Sequence, residues 1–257
     1  MDLLYANDRQ GAYPDSWYAV TVTPPAPRPT LSGQIRTDVC VIGGGYTGLS
    51  AALHLAETGH RVVVLEAHRA GFGASGRNGG QLGSGQRVDQ MKLEKMVGAE
   101  TARALWDLGE EAKELVRGLI TRHKIACHYK PGVAWAGSQA SEVAELHEYR
   151  AFLQDRYGYK PIAALDAERF ASVCPSPDYC GGVLDMGAGH LHPLAFALGL
   201  ARAAEKAGAQ IFENARVTEI RHGTPVVVET DGGTVTADHV IIGCNGYLSG
   251  LAPKVTA

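Results

Sequence analysis

Between Asp38 and Gln81 two glycine-rich loops stand on either side of a short strand that ends in glutamate, a spacing suited to binding a dinucleotide. The apolar run at residues 39–42 breaks at Gly43-Gly44-Gly45-Tyr46-Thr47-Gly48, and a helical pattern follows over residues 49–58. A second apolar run, residues 61–65, leads into Glu66, 18 positions beyond Gly48. Gly43, Gly45 and Gly48 fit G-x-G-x-x-G, and strand, loop, helix, strand and acid fall in the order such a site requires. The glycines permit a tight turn and let the backbone approach a pyrophosphate at a helix N-terminus, where amide hydrogens and the dipole favour negative charge. Tyr46 and Thr47, at the helix start, can present amide donors. Glu66 can accept from ribose hydroxyls, and its charge would repel a 2′-phosphate.

The second loop, residues 71–81 (Gly-Phe-Gly-Ala-Ser-Gly-Arg-Asn-Gly-Gly-Gln), narrows the choice of dinucleotide. Simple nicotinamide-binding units have no need of a long glycine-rich segment there. A flavin dinucleotide does, because its ribityl chain and ring continue past the pyrophosphate and need backbone donors at close range. The Ser75 hydroxyl can add a donor to that path.

Residues 38–50 and 71–82, together with 189–193 (Gly-His-Leu-His-Pro) and 208–217, resemble the D-amino-acid-oxidase-like family of FAD-dependent amine oxidoreductases. The resemblance implies an α/β fold: a Rossmann-like FAD-binding domain of the glutathione-reductase type, with an inserted, here incomplete, α+β substrate domain. It places Ala67 beside the adenosine, and Ala74 with Ser75 where the chain returns to the phosphates. Gly79, Gly80 and Gln81 fall beneath the isoalloxazine, and Val217 falls at the adenine edge. Some relatives carry a flavin-linked histidine where this chain has Arg77, so noncovalent FAD is expected. The implied reaction is oxidation of a neutral amine by hydride transfer to flavin N5, with gamma-glutamylputrescine as the expected substrate and aldehyde and ammonia as products. Oxygen or another acceptor would reoxidise the flavin. A glycine- or sarcosine-type oxidase on the same scaffold is the enzyme alternative, and an FAD-binding module without turnover is the other. No catalytic base can be named. The resemblance covers the front part of the family pattern, so this chain alone is expected to turn over poorly and to self-associate through open sheet edges.

The elements that position these loops divide the chain. Residues 1–33 read as an arm in which Tyr5, Tyr13, Trp17 and Tyr18 precede a proline-rich stretch, and the aromatics are expected to pin it to the surface. Residues 34–88 and 187–257 form a discontinuous FAD-binding domain, and residues 89–186 a substrate-side insertion. In the first helix Leu49, Ala52, Leu53 and Ala56 make one apolar stripe, with Gly59 as its stop. The insertion reads as two amphipathic helices, around residues 105–120 and 143–153, separated by strand, turn, strand over 126–136. Residues 180–186 read as a further strand. His192-Pro193 suits the cap and first position of a helix ending at Gly208. Residues 226–229 and 234–237 flank a hairpin signal at Thr230-Asp231-Gly232-Gly233, and residues 239–242 read as a buried strand.

The bulk properties exclude other classes. A net charge of −3 gives no reason to expect nucleic acid or an anionic membrane as partner. No apolar run has transmembrane length, and the N-terminus lacks the pattern of a signal peptide, so a cytoplasmic protein is expected. Cys40, Cys127, Cys174, Cys180 and Cys244 form no CxxC pair and read as reduced thiols, with Cys40 and Cys244 inside core strands. His190 and His192 could share a strand face, but no third ligand accompanies them and no metal is expected.

Overall fold

The computed structural model describes residues 4–6, 9–248 and 250–252. After a short helix α1 (Trp17–Val20) come β1 (Gly33–Ile42), α2 (Tyr46–Glu57), β2 (Val62–Leu65) and β3 (Gln81–Leu82). Then follow α3 (Gln90–Val97), α4 (Ala99–Arg122), β4 (Lys130–Gly137), α5 (Ala140–Tyr157), β5 (Ile162–Leu165), α6 (Ala167–Val173) and β6 (Gly181–His190). The chain closes with α7 (Pro193–Lys206), β7 (Gln210–Phe212), β8 (Val217–Arg221), β9 (Val226–Thr230) and β10 (Gly233–Ile242).

Two compact units result. The first takes the described residues up to Gly79, His123–Cys127, and those from His192 onward; the second takes Gly80–Arg122 and His128–Leu191. These borders differ from the expected ones because β3 pairs with β6 through Gln81↔His190 and Leu82↔Gly189, which draws both segments into the second unit.

In the first unit the sheet order is β7-β2-β1-β10-β9-β8. β7, β2, β1 and β10 run parallel, and β9 and β8 return antiparallel. β1 begins six residues before the apolar run that announced it, because Gly33 to Ile42 pair in register with Gly233 to Ile242. The helix α2 buries Gly48, Leu49, Ala52, Leu53 and Ala56 on one face, as its periodicity predicts, and Gly59 follows it at φ +91°. α7 packs beside α2, with Pro193 in its first turn and the His192 ring accepting from the Ala195 amide at 3.1 Å.

Three expectations are corrected. Residues 126–136 do not form strand, turn, strand: only Lys130–Gly137 is extended, and Gly132 at φ +98° accompanies a register shift in one strand rather than a reversal. Residues 239–242 are only partly buried, since β9 pairs with β10 at Thr234 to Ala237 and stops there. Cys244 lies beyond the end of β10, whereas Cys40 is fully buried within β1.

In the second unit β6 carries β4 on one side and β3 and β5 on the other. A core of Trp106, Leu153, Tyr159, Ile162 and Val183 packs there. The segment after β3 is held by a buried polar cluster. Ser84 Oγ and Tyr159 OH each donate to Asp185 at 2.6 Å, and Lys113 Nζ donates to Ser84 Oγ at 2.7 Å.

Candidate cofactor site

The site begins where the parallel strands β1 and β10 end side by side, since loops at the C-terminal ends of such strands open a crevice. Gly43 adopts φ +105°, and a side chain there would come within 2.8 Å of the Gly243 carbonyl oxygen. A Cβ at Gly48 would lie 1.9 Å from the Gly43 oxygen, so this glycine lets α2 seat against the loop. Gly45 is the N-cap of α2 and provides no side-chain cap. The Tyr46 amide is satisfied across the loop by Ser75 Oγ at 2.9 Å, which fastens the second glycine-rich segment to the first. Burial pushes the Tyr46 hydroxyl up to about 12, and it stays a neutral donor to the Pro193 carbonyl at 3.0 Å.

Glu66 stands at the end of β2. Its Oε2 accepts from the Gly44 amide at 2.6 Å and its Oε1 from the His68 amide at 2.9 Å. Burial raises this carboxyl above the ordinary range, against the pull of those two amides, and Glu213 raises it further. Each oxygen retains an acceptor lone pair for a second donor.

These pieces wall a cavity of about 530 Å³ within the first unit, a volume inside the ~300–1,000 Å³ range of small-molecule sites. Gly43, Gly45, Tyr46, Thr47, Glu66, Ala67, Ala74, Ser75 and Val217 all line it. Gly48 lies behind it as a packing residue. Gly79 is not on this cavity, and Gly80 and Gln81 belong to the second unit. Gln81 lines a separate cavity of the second unit, about 840 Å³, together with Arg87, Asp89, Trp135, Glu142, Glu145 and Tyr149.

Sequence reasoning missed Arg216 and Thr218 on either side of Val217, and the stretch from Gly243 to Leu248. A signal for the latter was present: the loop after β10 must meet the loop after β1 once those strands pair in parallel. Burial raises the Cys244 thiol, so a neutral thiol faces the cavity. Arg77 is engaged locally, donating to the Phe72 carbonyl at 2.8 Å from Nη2 and lying 4.7 Å from the Phe72 ring. Among the described residues no cluster of three or more His, Cys, Asp or Glu is placed to hold a metal. The His192 ring caps α7 and that of His190 lies 3.3 Å from the Gly132 carbonyl. No helix among the described residues is long and apolar enough to cross a membrane.

Residues 38–256 match the family model described as DAO, FAD dependent oxidoreductase, and the chain belongs to that family. Its cofactor is FAD, and the glycine cradle, the carboxylate at the end of β2 and the cavity between them fit the dinucleotide. Gamma-glutamylputrescine oxidoreductase of Escherichia coli (strain K12) is 46% identical over 233 residues, covering 91% of this chain and 54% of that protein. A probable oxidoreductase, OrdL, of Rhizobium meliloti (strain 1021) is 42% identical over 243 residues, covering 94% and 56%. The crystal structure of glycine oxidase from Geobacillus kaustophilus superposes with a TM-score of 0.70 at 27% identity, covering 86% of this chain and 58% of that one. The chain therefore spans about half the length of the curated relatives it matches.

Proposed function

We propose that this chain is the FAD-binding part of an enzyme that oxidises an amine, with gamma-glutamylputrescine as its substrate. The observation that supports the reading is the cavity lined from the Gly43 loop through Glu66 to Val217, in a chain 46% identical to the enzyme of that name. Bound FAD supplies the redox chemistry, taking up the electrons and hydrogen that the amine gives up. The chain's own residues bind and orient. The Thr47 amide at the start of α2 meets the pyrophosphate while the Tyr46 amide holds Ser75, Glu66 takes the ribose hydroxyls, and the backbone at Val217 meets the adenine edge. By the family resemblance, Gly79, Gly80 and Gln81 are the residues expected beneath the flavin ring. With arginine at position 77, the cofactor is held without a covalent link.

The choice between an amine and a small amino acid turns on charge. Asp89, Glu142 and Glu145 face the second unit's cavity, with Arg87 the one cation among its described lining residues, alongside the Trp135 and Tyr149 rings stacked at 6.1 Å. That balance suits the terminal amine of gamma-glutamylputrescine, whose reacting carbon has no carboxylate beside it, better than an amino acid whose α-carboxylate adjoins that carbon and calls for a clamp of the opposite sign. The test is anaerobic reduction of the flavin by gamma-glutamylputrescine, glycine or sarcosine, on this chain and on one extended to the relatives' length. Bleaching by glycine or sarcosine in preference to the polyamine derivative, in either form, would overturn the substrate assignment.

A further inference from the structure

Three of the attachments that hold the described part of the N-terminal arm fall on segments that adjoin the cofactor cavity. The first is His68, whose ring is fully buried. Its Nδ1 accepts from the Gly11 amide at 3.2 Å, so Nε2 carries the hydrogen and donates to the Leu4 carbonyl at 2.9 Å. The imidazole stacks on Phe72 with centroids 3.7 Å apart and faces Tyr5 at 5.0 Å. Leu4 and Phe72 both line the cavity, and Arg216, also on its wall, lies 5.2 Å from the Tyr5 ring.

The second place is Tyr13, whose hydroxyl donates to the Ala70 carbonyl at 2.8 Å under the Arg69 guanidinium. The third is a buried ion cluster. Glu213, fully buried, pairs with Arg28 of the arm at 2.9 Å and with Arg69 at 2.6 Å, while Arg69 also donates to the Pro25 carbonyl at 2.7 Å. These three anchors lie in residues 68–72 and 213–216 on the body of the unit, while Arg28 also pairs with Glu205 of α7 at 2.6 Å and Thr21 Oγ1 lies 3.1 Å from His192 Nε2. Residues 68–72 and 213–216 are the segments that follow Glu66 and precede Val217, the two walls expected on the adenosine side.

We propose that the N-terminal arm is itself a wall of the FAD site: Leu4 closes the adenosine side with Tyr5 packed behind it on His68 and beside Arg216, the arm being held there by His68, Tyr13 and the Arg28–Glu213–Arg69 cluster. The inference rests on FAD occupying this cavity. A wall that touches the ligand must be linked to it in both directions: loosening the arm weakens FAD binding, and FAD binding resists loosening of the arm by the same factor.

Two measurements test this. In the first, apoprotein is titrated with FAD by flavin fluorescence, comparing the chain with its Leu4→Ala/Tyr5→Ala double variant, which leaves every anchoring side chain except Tyr5 in place. A dissociation constant raised about tenfold is expected for loss of that apolar wall. In the second, the unaltered chain is cut with trypsin at the exposed Arg9, with and without saturating FAD. Cleavage there should slow about tenfold or more with FAD, as reciprocity requires. An unchanged dissociation constant in the double variant, or equal cleavage rates, would overturn the arm's role. Failure of the unaltered chain to bind FAD at all would instead remove the cofactor assignment beneath it.

Discussion

Replacing Glu66 with glutamine separates what this residue does for the cofactor from what it costs the protein. The carboxylate accepts one backbone amide on each oxygen, from Gly44 at 2.6 Å and His68 at 2.9 Å. Glutamine keeps one acceptor oxygen and turns the other position into a donor. The ribose then loses a charge-assisted acceptor worth roughly 1.5–3 kcal/mol, which is a rise of about 10- to 150-fold in the FAD dissociation constant. Stability behaves differently. Because burial raises the native carboxyl above its unfolded value, the folded state binds the proton more tightly. Glu66 therefore lowers stability progressively as pH rises from its unfolded value, about 4.3, through its raised native one. Glutamine cannot ionise, so the apoprotein's stability difference, variant minus parent, should move in the variant's favour across that window. The lost amide bond contributes a cost that does not vary with pH. Flavin-fluorescence titration gives the first quantity, and urea midpoints at several pH values give the second. A dissociation constant within twofold of the parent's, or a stability difference flat with pH, would refute this account of Glu66.

Gly48→Ala puts a methyl group 1.9 Å from the Gly43 carbonyl oxygen, a backbone atom that cannot swing aside. A loss of about 1–3 kcal/mol in urea-derived stability is expected from forcing α2 off the loop, and an unchanged midpoint would refute the packing role. Glu213→Gln leaves the Arg69 side chain, 8% exposed, without its buried carboxylate, and should cost about 3–5 kcal/mol by the same measurement. A loss below 1 kcal/mol would mean that the cluster is dispensable. Acid precipitation of the flavin-loaded chain should release yellow cofactor into the supernatant, whereas colour in the pellet would contradict the noncovalent assignment drawn from Arg77.

The parts of the site legible in the sequence are those built from local spacing. The first loop, the stripe of α2, Glu66 and the His192–Pro193 helix start each declare themselves within a turn or two of chain. What escaped depends on pairings made across long separations. The hold on Leu4 rests on a histidine 64 residues away, and although Tyr5 reads as a pin for the arm, nothing in residues 4–11 announces which residue it meets. Trp17 illustrates the reverse error: an aromatic in the arm reads as an anchor, yet it is 73% exposed, while Arg28, which carried no signal in the sequence, is held in the ion cluster. The register of β1 was also hidden, since Gly33 to Thr37 are extended only because β10 lies beside them. Cavity walls after β10 required knowing which strand neighbours β1, a fact of topology rather than of motif.

That pairing also governs when the molecule can finish itself. β1 ends at Ile42 and its partner β10 begins at Gly233, 191 positions later, with the whole second unit encoded between them. At the usual pace of synthesis β1 waits roughly 10–40 s on the ribosome for the strand that completes its sheet. Through that interval the first glycine loop has α2 and β2 beside it but not Gly243 against Gly43, so half of the crevice is missing. The nascent chain must keep an apolar strand edge covered for that whole time. Cofactor capture accordingly waits until residues through Gly243 have been made, and slowing translation within residues 80–191 should lengthen the aggregation-prone interval without altering the finished site.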